Sequence, residues 1–174
     1  HRYQSLDEVA RLSRVDNLGP KLMHALPYLR GAVVVRTCNR LAILVDAPSR
    51  LASSGQSGSD AARAGSAFPG SAPAGSGAPA VADDVRAVLA HCVELSLEQV
   101  HLRHLAGHQA HLDLFATAAG LESMVVGERE IAGQLRRAFH AAWEEDTLSC
   151  DLGRALEHAS RTSRLVATQT GLAS

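Results

Sequence analysis

Two kinds of spacing, and one stretch with none, order the hydrophobic positions of this chain. Val9 and Leu12, then Leu22, Met23 and Leu26, recur at helical intervals, as expected of short helices with one buried face. Ser5-Leu6-Asp7-Glu8 has the form of a capping box, in which a hydroxyl and a carboxylate satisfy each other's backbone donors at a helix start. Pro20 suits the first turn of a second helix reaching about Leu26. After Gly31 the pattern changes, and Ala32–Arg36 and Leu41–Val45 read as a strand and its return partner.

Residues 47–80 lose periodicity. Ala, Gly, Ser and Pro dominate, with Phe68 the single aromatic. Such a composition cannot bury enough apolar surface to offset its ordering entropy, so a disordered insertion serving as a tether is predicted. Helical spacing resumes near Val81, through Val85, Val88, Leu89 and Cys92, and a short strand is expected at Gln99–Leu105. A helix follows from about His108 to Ala119, closed by Gly120. Ile131, Leu135, Phe139 and Ala142 mark another from about Glu128 to Glu145. Leu152, Leu156, Ala159 and Val166 mark a last one over Asp151–Thr168, with Gly171 a suitable terminator.

This order predicts an α+β fold: a small, largely antiparallel sheet with helices on one face, of the split β-α-β or ferredoxin-like kind, plus C-terminal helices. The expected organisation is a catalytic α+β domain formed by 1–46 and 81–149, interrupted by the insertion at 47–80, with 150–174 as the start of a connecting helix.

Composition narrows the class. The 174 residues are 46% hydrophobic but only 3% aromatic, so one core built from Ala, Leu and Val is expected. A net charge of −1 gives no global electrostatic case for nucleic-acid or membrane binding. Three widely spaced cysteines do not form a disulfide framework and suit a reducing compartment. No apolar run approaches the roughly 20 residues that span a bilayer, and His1–Leu12 lacks the form of a signal peptide. A cytoplasmic protein is the expectation.

Three stretches could carry chemistry. Cys38 stands in "VVVRTCNRLAIL", two residues from both Arg36 and Arg40. In an extended strand all three would share a face, and the cations would lower the thiol's pKa from about 8.5. A buried, inert cysteine is the competing reading. In "GLESMVVGEREIAGQ", two glycines bracket an apolar loop and Glu128, Arg129, Glu130 and Gln134 open a helix. Ordinary helix-terminus chemistry would also explain the acidic residues. His101, His104, His108 and His111 have the spacing of one helical face, but Gly107 interrupts it and no further ligand completes a set. No metal is expected.

"TCNR" after a strand, followed some eighty residues later by "GLESMVVGEREIAGQ" and "RRAFHAA", resembles the glutamyl-tRNA reductases. The resemblance covers nearly the whole chain outside 47–80. It implies an oxidoreductase of porphyrin and tetrapyrrole biosynthesis, in which a thiolate attacks the ester of glutamyl-tRNA. The resulting thioester is reduced by NADPH to glutamate-1-semialdehyde. Cys38 would be the nucleophile. Thr37, Asn39 and Arg40, with Ser123, Glu128, Arg129, Glu130 and Gln134, would bind substrate, Arg40 by a bidentate grip on the glutamyl carboxylate. Asp113 and His111 would support catalysis. The resemblance also implies NADPH held by a domain outside this chain, glutamate-1-semialdehyde aminomutase as a partner, and a dimer in the full-length family; a monomer is expected for this chain. The chain departs from the family pattern at Ala42, where a glutamate is usual, at Asp113, where a histidine is, and at Arg36, where a serine is. These departures leave open an alternative: a non-catalytic homologue that binds tRNA, haem or a partner protein.

Overall fold

The computed structural model describes residues 6–37, 40–48, 78–120 and 129–170. The expected insertion, apart from its two ends, lies outside them, as do Ser5 and Gly171.

Helices α1 (Leu6–Ser13) and α2 (Leu18–Ala25) come first. They are separated by a tight reversal in which Asn17 takes a left-handed φ of 53°, a conformation that Asn tolerates better than most residues. Leu12, Leu18 and Leu22 are almost wholly buried. Strand β1 (Gly31–Arg36) then pairs antiparallel with β2 (Leu41–Asp46), from Gly31 opposite Asp46 to Arg36 opposite Leu41. Among the described residues the sheet has these two strands.

Alternation along the pair directs its side chains into two hydrophobic clusters. Ala32 and Val34, with Ile43 and Val45 opposite, pack into a cluster with α1, α2 and α3 (Ala78–Cys92) that contains Leu12, Leu22, Val85 and Leu89. Val33 and Val35, with Leu44 and Ala42 opposite, pack into another with α4 (Gly107–Ala118), α5 (Arg129–Glu144) and α6 (Cys150–Thr170). The α+β class and the antiparallel pairing are as expected. The helices, however, cover both faces of the sheet and not one. The reason is in the strand itself: Ala32 through Val35 is apolar at every position, so neither face could be left to water.

Between α3 and α4 the expected strand at Gln99–Leu105 is replaced by a 3-10 turn, Leu97–Gln99. Ser96 and Gln99 close it as a capping box, with the Ser96 N–H donating to Gln99 Oε1 at 2.9 Å. The chain then runs irregularly to α4. Val100 is buried and Leu102 packs on the α1–α3 cluster, which leaves His101, Arg103 and His104 exposed. Alternation here reflects an extended run lying on a core, with no partner strand among the described residues.

The α5–α6 connection locks the hairpin's base. The Ala32 N–H donates to the Thr147 carbonyl at 2.8 Å, and the Ser149 Oγ caps α6 by accepting from the Leu152 N–H at 3.2 Å. Gly31 lies directly against this cap, where any side chain would meet the Ser149 backbone nitrogen at 2.7 Å. Leu152, Leu156 and Ala159 bury the first turns of α6 in the second cluster, so that part of the helix is core. No helix among the described residues is long and apolar enough to cross a membrane.

Candidate functional site

The hairpin reverses where the chemistry-bearing residues stand. The Thr37 N–H donates to the Arg40 carbonyl at 2.9 Å, and Thr37 Oγ1 donates to the same oxygen at 3.2 Å. This pins the positions on either side of Cys38 and Asn39, which themselves lie outside the described residues.

The two arginines that flank Cys38 in sequence are held by different parts of the fold. Arg36, the last residue of β1, donates from Nη2 to the Val15 carbonyl at 2.7 Å and is committed to the α1–α2 side. Arg40 turns toward α4, where its Nη1 donates to Thr117 Oγ1 at 2.9 Å and lies 3.9 Å from Asp113 Oδ2. Arg36 and Arg40 thus do not share a face, as they would in a continuous strand.

Asp113 and Thr117 are one helical turn apart on α4 and so face the hairpin end together. The other carboxylate oxygen of Asp113, Oδ1, is buried and 3.3 Å from Arg103 Nη1. No hydrogen bond of good geometry reaches Oδ1 from the described residues, so an ion pair is what offsets its desolvation. Asp113 therefore stands between two guanidinium groups. His111 is placed differently: it is exposed, and its Nδ1 lies 2.9 Å from the Gly107 carbonyl. Since a carbonyl can only accept, that nitrogen carries the proton, and the ring is tied back onto its own helix.

Of the residues in the second motif, Gln134 is buried in α5 at 8% exposure. Ser123 and Glu128 lie outside the described residues. Arg129 and Glu130 open α5, but their side chains are outside the description. Gly120 ends α4 with a φ of 72°, its N–H donating to the Thr117 carbonyl at 3.0 Å. Among the described residues no group of three or more His, Cys, Asp and Glu side chains could hold a metal ion. The first two of the four histidines precede α4, which begins only at Gly107 with a φ of 55°.

Sequence reasoning missed Thr117 and Arg103. The first could have been found from its four-residue offset from Asp113; the second has no local signal, because the pairing depends on how the 100–106 segment lies against α4.

The described residues thus form an α+β domain that brings an arginine, a threonine and a carboxylate together at the end of its hairpin. Comparison with known proteins gives the family. The family model described as glutamyl-tRNAGlu reductase, N-terminal domain, matches residues 1–170, and the chain belongs to that family. It is 36% identical to a glutamyl-tRNA reductase of Cutibacterium acnes over 174 residues, covering 99% of this chain and 33% of the relative. It is 35% identical to that of Pseudarthrobacter chlorophenolicus, with 100% of this chain and 34% of the relative covered. The Micrococcus luteus reductase is 38% identical, with 99% and 33% covered. The chain thus spans about a third of the length of these relatives.

Proposed function

We propose that this chain is the domain of a glutamyl-tRNA reductase that binds the glutamyl ester and captures it on Cys38. The observation that carries the reading is Arg40, set at the end of the hairpin by Thr117 and Asp113, two residues from the cysteine in sequence. A guanidinium held there suits the glutamyl side-chain carboxylate, because its planar fork matches carboxylate geometry. Thr37 and Asn39 would complete the pocket from the hairpin, and Ser123, Glu128, Arg129, Glu130 and Gln134 from the α4–α5 side.

In the capture step the Cys38 thiolate attacks the ester carbonyl carbon. A C–S bond forms and the C–O bond to the tRNA ribose breaks, and the leaving oxygen takes up a proton. The thiol has given up one proton beforehand, so the step is balanced and redox-neutral, and it divides a hard reduction into easier parts. Asp113 is close enough to Arg40 to orient it. His111 would act only after leaving its backbone partner.

Reduction of the thioester to glutamate-1-semialdehyde, feeding an aminomutase and tetrapyrrole synthesis in the cytoplasm, completes the reading. The described residues contain no parallel β-α-β unit on which a dinucleotide could lie. NADPH would be held by a domain outside this chain, and the step assigned to this chain is capture on Cys38. One observation favours a second reading, a non-catalytic binding domain: Asp113, standing where the family usually has a histidine, has both oxygens facing arginines and is poorly placed to move protons.

Intact-protein mass spectrometry after brief mixing with glutamyl-tRNA tests the choice. A glutamyl adduct on the wild type and none on Cys38→Ser is the expected result. No adduct on a folded wild type with a free thiol would overturn capture, and retained tRNA binding would then support the second reading.

A further inference from the structure

We propose that Arg103 is a positioning residue for Arg40, acting by holding Asp113 back from it. The inference rests on reading Arg40 as the holder of the glutamyl carboxylate. Among the described residues Asp113 has two guanidinium neighbours at unequal distances, Arg103 Nη1 at 3.3 Å from Oδ1 and Arg40 Nη1 at 3.9 Å from Oδ2. The shorter contact goes to the more exposed arginine: the Arg103 side chain is 67% exposed, against 37% for Arg40 and 23% for Asp113. The 100–106 segment that carries Arg103 is seated on the first cluster by Val100 and Leu102.

The consequence follows from the chemistry of the pair. A carboxylate and a guanidinium that meet without competition settle at about 2.8 Å, often through two bonds. Without Arg103, Asp113 would keep a buried oxygen whose ion pair had gone, with Arg40 as the nearby cation. It would close on Arg40 and occupy the side of the guanidinium that a ligand carboxylate needs. Arg103 keeps this internal carboxylate at arm's length, so the site distinguishes a glutamyl from a glutaminyl group.

The test uses the full 174-residue chain and one tRNA carrying glutamate or glutamine through a 3′-amide link, which resists thiol attack. Binding of both is measured for wild type, Arg103→Gln, Arg103→Lys, Asp113→Asn and the double variant Arg103→Gln/Asp113→Asn. The glutamyl preference should fall about two- to fivefold in Arg103→Gln, the scale of one part-exposed ion pair, and be largely kept in Arg103→Lys. In the Asp113→Asn background Arg103→Gln should have no effect, since an amide has no charge with which to mask Arg40. An equal loss for both ligands, an unmoved preference, or a loss that persists in the double variant would overturn the inference. A wild type with no glutamyl preference would remove the reading of Arg40 as well, and so separates the two failures.

Discussion

The guanidinium of Arg36 fastens the end of β1 to the turn between α1 and α2, through a 2.7 Å bond to the Val15 carbonyl. Replacing Arg36 with Gln should therefore cost stability, by about 1 kcal/mol for a part-buried bond from a charged donor. Urea denaturation measures this directly. An unchanged midpoint would mean that the bond is not formed in solution.

Two glycines should respond to alanine with opposite signs. A methyl on Gly31 would press on the Ser149 backbone nitrogen and Cβ at 2.7 and 2.8 Å, and relieving that overlap should cost about 1–3 kcal/mol. Among the described residues, a methyl on Gly133, inside α5, would meet only the flexible end of Arg137 at 3.5 Å. Helix propensity should then raise stability by up to about 1 kcal/mol. Thermal melts of both variants check the pair, and a destabilised Gly133→Ala would contradict the described packing of α5.

Tyr28 supplies a pH signature. Burial, then the hydrogen bond to Asp84 at 2.6 Å and that carboxylate's charge, push its phenol well above the ordinary value. The folded state thus keeps its proton more tightly than the unfolded chain. The stabilisation is complete below about pH 10, the unfolded phenol's pKa, and is lost as pH rises above it. Denaturation midpoints from pH 8 to 11 should fall for the wild type and fall less for Tyr28→Phe.

Leucines on the two stretches of α6 should differ sharply. Leu156 is 2% exposed within the second cluster, whereas Leu165 is 57% exposed. Leu156→Ala should cost about 2–5 kcal/mol and Leu165→Ala no more than about 0.5 kcal/mol. Comparable losses in a denaturant titration would show that the far end of α6 is covered in solution.

Much of the architecture was legible because single segments carry it. The 3.6-residue spacing of Ile131, Leu135 and Ala142 places α5 within one residue of its observed ends, and the polar break at Thr37–Arg40 between apolar runs marks the hairpin. What could not be read depends on the third dimension. Val100, Leu102 and His104 alternate as a strand would, yet the segment lies on the first cluster and pairs with no strand among the described residues. The same holds at the site: Arg40 announces itself beside the cysteine, but nothing local says that Thr117 and Asp113 will meet it or that Arg36 will turn away.

Val33 and Val34 are neighbours in the chain but belong to different clusters. The two-stranded sheet is a party wall, a single residue thick, between separate hydrophobic chambers. Enlarging Val34 strains the room built by α1–α3, and enlarging Val33 strains the room built by α4–α6, while both faults travel along the same short ribbon to Thr37 and Arg40. The site at its tip is thereby sensitive to packing errors on either side of the molecule, and chambers that share no side chain are joined in what they do to it.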